Sequence, residues 1–216
     1  MSKLFIFTIL LLALSDASYA QPQKFQSWKT ACSAVTSTVA EGDLIFLDMP
    51  YYLFRRVASA TKTWTSHVGI VFKDHGKWIV SESKVPLSKE TPLCDYLRHS
   101  AEFRFEVRRL NRPLEIAEVE RMRETATSML HKPYTTGFDF DSSWMYCSKF
   151  AYLTFQSIGI EVGKIQTFKD LLQENPDASI KFWKFWFFGD IPWSRRTVTP
   201  ASQLRDPKFH TVLEGA

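Results

Sequence analysis

Two short runs, HVGIVF (His67–Phe72) and KWIVSE (Lys77–Glu82), stand four residues apart with KDHG between them. Both are rich in β-branched and aromatic residues, and Gly76 supplies the positive φ that a tight turn needs, so they should pair as an antiparallel hairpin. A hairpin alone cannot bury a core, so other strands must join it. EGDLIFLDM offers a turn at Gly42 and Asp43 followed by a compact apolar run, the expected first strand of the core. In AEFRFEVRRL, Phe103, Phe105 and Val107 alternate with Arg104, Glu106 and Arg108, which predicts a half-buried strand.

Elsewhere the period changes to that of a helix. Between Tyr51 and Trp64, the apolar positions Leu53, Val57, Ala60 and Trp64 recur every three or four residues, with Arg55 and Arg56 reading as a solvated face. From Pro113 to Leu130, a stripe of Ile116, Val119, Met122, Ala126 and Met129 predicts a second helix, Pro113 in its first turn and Glu115 and Glu118 suiting its N-terminus. After Cys147, Phe150, Ala151, Leu153, Thr154 and Ile158 mark a third, buried helix. The fold class is therefore α+β, an antiparallel sheet packed against helices. Less regular segments connect these elements. Residues 21–40 read as a polar surface arm, and residues 83–101, with two prolines, as a long loop or short helix across the sheet edge. IGIEVGKIQTFKDLLQENP reads as a glycine-marked turn and a short helix ending before Pro176. RTVTPASQLRDPKFHTV reads as a brief strand, a Pro-started helical turn and a ragged end.

The first twenty residues, MSKLFIFTILLLALSDASYA, carry an early lysine, an apolar run from Leu4 to Leu14, and small residues at Ser18 and Ala20. This pattern predicts a secretory signal peptide (residues 1–20) cleaved after Ala20, a periplasmic or secreted destination, and one domain over residues 21–216. The apolar run is too short to span a bilayer comfortably, and no second one follows. A formal charge of +4, dispersed along the chain, argues against a nucleic-acid partner. There are three cysteines. Either Cys32 pairs with Cys94 and Cys147 stays free, or none pairs. No CxxC, HExxH or other His/Cys spacing suits a metal, so neither a metal nor a cofactor is expected.

Chemistry concentrates at three residues. In the hairpin, His67 begins the first strand and Glu82 ends the second, which puts both at the open end on neighbouring strands, where a carboxylate can fix an imidazole's tautomer and stabilise its charge. Cys147 stands at a loop-to-helix junction, where unpaired N–H groups and the helix dipole favour the thiolate. Each also has a plain reading: Cys147 as a small core hydrophobe, His67 and Glu82 as a polar strand end. Gly69 beside the histidine permits a close approach or marks a β-bulge. His75 in the turn and His131 after the second helix read as exposed or capping positions. The run IKFWKFWFF holds Phe182, Trp183, Phe185, Trp186, Phe187 and Phe188. Its rings either pack against the body or, as residues 182–188, form a rim that makes peripheral contact with a membrane.

In sequence order, GDLIF, SHVGIV, a strand ending in Glu82, KPY with a following aspartate and aromatic residues, YCSKFAY and TVTPASQL resemble the circularly permuted branch of the NlpC/P60 superfamily, the YiiX/YaeF-like papain-like amidases. The resemblance runs from Gly42 to Leu204 and implies a circularly permuted papain-like fold with the cysteine at a helix N-terminus, the histidine preceding the cysteine in sequence. It implies Cys147 as nucleophile, His67 as base and acid, and Glu82 as the residue that orients the imidazole. It also implies Tyr134 and Tyr146 as substrate-binding neighbours, Tyr134 as a cleft wall and hydrogen-bond donor. The activity implied is that of an exported cysteine hydrolase cleaving an amide through a thioacyl intermediate, with cell-wall peptides as the substrate class. Alternatives are a lipid or lipoprotein acyl hydrolase or acyltransferase using the same residues, and a non-catalytic binding protein on the same scaffold. Ser148-Lys149 and the heavy aromatic run depart from the family pattern.

Overall fold

A computed structural model describes residues 21–216; the expected leader, residues 1–20, lies outside the described residues. In chain order the elements are α1 (Trp28–Thr38), β1 (Leu44–Leu47), α2 (Tyr52–Ala60), β2 (His67–Asp74), β3 (Lys77–Ser83), β4 (Ser88–Pro92), α3 (Leu93–Leu97), β5 (Phe105–Leu110), α4 (Ile116–Ser128), α5 (Cys147–Gln156), β6 (Gln166–Thr167), α6 (Phe168–Glu174), α7 (Ile180–Trp186), β7 (Arg196–Thr197), α8 (Pro200–Leu204) and β8 (Phe209–Gly215). Six strands form one antiparallel sheet in the order β4-β3-β2-β1-β5-β8, and β6 pairs with β7 apart from it.

The central strand is β1. All four of its residues are buried, so both faces are covered, which is why its sequence is a continuous apolar run and does not alternate. Asp43, just before it, is buried and held by a two-pronged contact from Arg109 of β5 at 2.8 and 2.7 Å, closing the polar end of the strand. The β2–β3 hairpin turns through His75 (φ 43°) and Gly76 (φ 81°), the double positive φ of a primed turn whose twist matches its strands. Against β2 and β3 lies α5, with α4 packed on it, while α1 contacts α3 and β8. A disulfide between Cys32 and Cys94, with Cα atoms 5.3 Å apart, joins α1 to α3.

Several sequence expectations need correction. Residues 21–40 contain a helix, α1, capped by Ser27 and seated through buried Ala31 and Val35. The segment read as a loop or short helix supplies both α3 and an edge strand, β4. Its Pro92 sits at the end of that edge, where a missing N–H leaves no inner ladder bond unmade. The expected ragged end is β8, paired along β5. α2 stops at Ala60, before Trp64, where Thr61 bonds back to the Val57 carbonyl at 3.0 Å. α4 begins at Ile116, after Pro113, because Glu115 and Glu118 form a reciprocal capping box one turn later. Phe103 lies outside β5 with φ 62°.

Candidate active site

The site is built on the hairpin's open end. The β2–β3 ladder pairs Ile70 with Ser81, so one step further Glu82 stands opposite Gly69 and diagonally across from His67 on the same face. Nε2 of His67 and Oε2 of Glu82 are 2.6 Å apart, and both residues are 0% exposed. The other Glu82 oxygen accepts a bond from Thr91 Oγ1 of β4 at 2.6 Å. A Cβ at position 69 would lie 2.4 Å from Val80 Cγ1 and 3.1 Å from Tyr96. Glycine there makes room for the Tyr96 ring, which sits 5.8 Å from the imidazole and anchors its hydroxyl on the Ile45 carbonyl at 2.9 Å. Phe54 of α2 meets the same imidazole edge-on, so the ring is held from several directions.

Cys147 is the first residue of α5 and is 3% exposed. Tyr146, the N-cap, makes no side-chain cap bond, which leaves first-turn N–H groups without a side-chain partner. That helix start is fixed by its neighbours. Ser148 donates to the Val198 carbonyl at 2.8 Å, and Gln203 of α8 donates to the Ser148 carbonyl at 2.8 Å. Lys149 donates to the carbonyls of Ser142 and Trp144, tying the preceding loop to the helix. The Ser148-Lys149 pair, unusual against the family pattern, therefore anchors the ends of the segment that carries the cysteine.

On the side of the imidazole away from Glu82, Nδ1 is buried and closes no hydrogen bond of ordinary geometry, while the Cys147 thiol lies near enough to act on its charge. Burial alone would pull the His67 pKa down, but the thiol and the Glu82 carboxylate outweigh it and raise the pKa to about 9. For Glu82, burial pushes the pKa up; the bonds from His67 and Thr91 outweigh that and hold it below the usual carboxylate value. The pair is therefore an imidazolium and a carboxylate at neutral pH.

Tyr134 lies near enough to the same sulfur to feel its charge. Its backbone is clipped to Pro86 and its neighbour Thr135 to Met145, at 2.9 and 2.7 Å, and its buried hydroxyl has no hydrogen-bond partner. Burial and the nearby sulfur raise its pKa well above the ordinary value, so it stays a neutral donor. Tyr146 contributes its ring to the cleft and ties its hydroxyl to another part of the cleft lining, 3.3 Å from Thr197 Oγ1 and 3.2 Å from the Val198 N–H. The cleft beside the thiol is walled by Val57, Phe138, Phe168, Leu171, Trp183 and Val198, and no charged side chain lines it. His75 sits at the opposite end of the hairpin, exposed, and His131 follows α4 in an exposed turn.

With this geometry in place, comparison with known proteins is decisive on ancestry. The permuted papain-like amidase enzyme family, YaeF/YiiX, C92, matches residues 38–213. The chain belongs to that family. The uncharacterized protein YiiX of Escherichia coli (strain K12) is 28% identical over 174 residues, covering 80% of this chain and 85% of YiiX. The crystal structure of metalloprotein yiiX from Escherichia coli O157:H7 superposes with a TM-score of 0.76 at 28% identity, over 82% of this chain and 98% of that one. The fold is thus the circularly permuted papain-like one, as the motif order implied. The metal named for that relative has no evident seat here. Among the described residues no three His, Cys, Asp or Glu side chains converge as a ligand set.

Two supporting residues had no sequence signal. Thr91, which fixes Glu82, lies on a strand whose buried positions, Ser88 and Thr91, are three apart and so break the alternation that marks a strand. Tyr96 sits on a five-residue helix, too short to show a period.

Proposed function

We propose that this permuted papain-like amidase is an exported cysteine hydrolase that cleaves an amide through an S-acyl intermediate on Cys147. The observation that carries the reading is the buried Glu82–His67 pair, which leaves Nδ1 without a hydrogen bond and has the Cys147 thiol, at the uncapped start of α5, close enough to raise the imidazole's pKa. The Cys147 thiolate attacks the amide carbonyl carbon, forming the C–S bond while the carbonyl π electrons move onto oxygen. First-turn N–H groups of α5 and the Tyr134 hydroxyl, which has no other partner, receive that oxyanion. As the oxyanion collapses, the C–N bond breaks and imidazolium His67 gives its proton to the departing amine. Water then attacks the thioester carbonyl and His67 takes its proton. The thiolate leaves, releasing a carboxylic acid and restoring the site. Glu82 holds the ring and its charge throughout. The Cys32–Cys94 disulfide supports export, since such bonds persist in oxidising compartments.

The cleft lining bears on the substrate. Cell-wall peptides present charged carboxylates near their scissile amides, and no charged side chain is available in the cleft to meet them. The cleft has only about 20 Å³ free, so it must widen to admit any acyl group; its apolar walls Val57, Phe168, Leu171 and Trp183 then favour a hydrocarbon portion, as in amide-linked lipid or lipoprotein acyl groups, within the same chemistry. The test is a mass-resolved product assay of wild type, Cys147→Ala and His67→Gln against γ-D-glutamyl peptides and N-acyl lipids in vesicles. Hydrolysis of N-acyl lipids should fall by at least about a thousandfold in either variant. Equal turnover by Cys147→Ala would remove the cysteine mechanism, and turnover of the peptides alone would remove the acyl-lipid preference. A binding protein on this scaffold would turn over neither.

A further inference from the structure

α7 and the turn that follows it have two aromatic sides. Phe182 and Trp183 face inward, and Trp183 forms a wall of the Cys147 cleft while packing edge-on against Phe138 and Phe168. On the other side Phe185 is 80% exposed, and Phe188, just past the helix, is 99% exposed with φ 55°. The Gly189 N–H donates to the Lys184 carbonyl at 2.7 Å, which closes the helix end and fixes Phe188 in that position. A non-glycine residue in the left-handed region with its phenyl wholly in water contributes nothing to the fold of the isolated chain. The surface continues onto α2, whose Tyr52 is exposed and packs on Phe182 at 5.7 Å. Its charge is one-sided. Lys181 and Lys184 alternate with the rings and Arg56 of α2 lies over the Tyr52 and Phe182 rings, while Asp190 follows the turn and Asp177 is shared with Lys62.

We infer that this aromatic and basic tip is a docking surface for an anionic phospholipid bilayer. Phe185 and Phe188 enter the boundary between headgroups and acyl chains, and Lys181 and Lys184 meet the anionic headgroups. No helix among the described residues is long and apolar enough to cross a membrane, so the seating is interfacial. Because the same helix walls the cleft through Trp183, docking carries the Cys147 site to the lipid surface. The inference stands on the exposure and charge of the tip, whatever bond Cys147 cleaves.

The test is flotation of the purified protein with vesicles of equal parts phosphatidylglycerol and phosphatidylcholine, and with vesicles of phosphatidylcholine alone. The protein should float with the anionic vesicles and bind less to the neutral ones. F185S/F188S should lose anionic-vesicle binding by more than about tenfold, since the two phenyl groups that enter the bilayer are removed. K181S/K184S should weaken it and flatten its salt dependence. Both double variants should keep the wild-type melting temperature and the wild-type rate of Cys147 labelling by a small thiol probe, so lost flotation is read apart from lost folding or lost chemistry. Flotation of wild type no greater than that of F185S/F188S overturns the proposal. So does wild-type self-association in sedimentation that the phenylalanine variant abolishes while vesicles bind neither, because the tip would then be an interface between copies of this chain.

Discussion

A fully buried histidine would ordinarily be neutral, and His67 is the residue whose setting reverses this. Burial works against its charge, yet the Cys147 thiol and Glu82 outweigh it and lift the pKa from 6.5 to about 9. The linkage has a definite sign. A raised histidine stabilises the fold fully below pH 6.5, and that contribution is lost as pH rises through about 9. Glu82, lowered from 4.5, stabilises above that value and loses its contribution as pH falls through its depressed pKa. Since the leaving amine needs the imidazolium proton, kcat/KM should fall on the alkaline side with a limb near pH 9. Replacing the carboxylate by an amide in Glu82→Gln should move that limb to lower pH, and NMR titration of the His67 ring should follow it. A limb that stays in place would show that Glu82 does not hold the imidazole's charge. His67, Glu82 and Cys147 were legible because strand ends and a helix start are positions that periodicity locates. Thr91 and Tyr96 were not, because their contributions arise only when β4 and α3 fold over the hairpin.

At the scale of elements, the hairpin is where local sequence and tertiary packing agree. Its two runs pair in unbroken register from Ile70–Ser81 to Asp74–Lys77, its turn supplies positive φ, and Gly69 opens the space that Tyr96 fills. The sheet's irregularity is elsewhere, between Val107 and Arg108 of β5, so Gly69 serves close approach and not a bulge. Gly69→Ala should cost about 1–3 kcal/mol by overpacking, read from urea unfolding. Because the added methyl would meet Val80 Cγ1 first, Gly69→Ala/Val80→Ala should be less destabilised than the sum of its single variants. Additive losses, or a Gly69→Ala chain as stable as the parent, would mean that the neighbours relax freely. The missed elements lack that local agreement. β8 buries Phe209, Leu213 and Gly215 irregularly, and α1 is seated by two small buried side chains plus a covalent bond. Each takes its shape from a partner distant in sequence.

For the molecule as a whole, the permuted order means that the catalytic candidates come from parts of the chain joined only by tertiary contacts. The β2–β3 hairpin brings His67 and Glu82, α5 brings Cys147, and Gln203 near the C-terminus holds the Ser148 carbonyl beside the cysteine. The disulfide adds a long-range constraint of the same kind, tying α1 to the helix that carries Tyr96 across a separation of 62 residues. Closing a loop of that length removes chain entropy from the unfolded state worth about 4 kcal/mol in the entropic account. Cys32→Ala/Cys94→Ala should accordingly lose about 2–5 kcal/mol in urea, and reductant should lower the melting temperature of wild type but not of this variant. Because α3 also carries Tyr96, the variant should label Cys147 with a thiol probe faster than wild type, through local opening at the imidazole. A thiol count in denaturant without reductant gives the direct check. One reactive thiol, Cys147, is expected, whereas three would mean that α1 and α3 are held by packing alone and that the constraint on Tyr96 must come from its bond to Ile45.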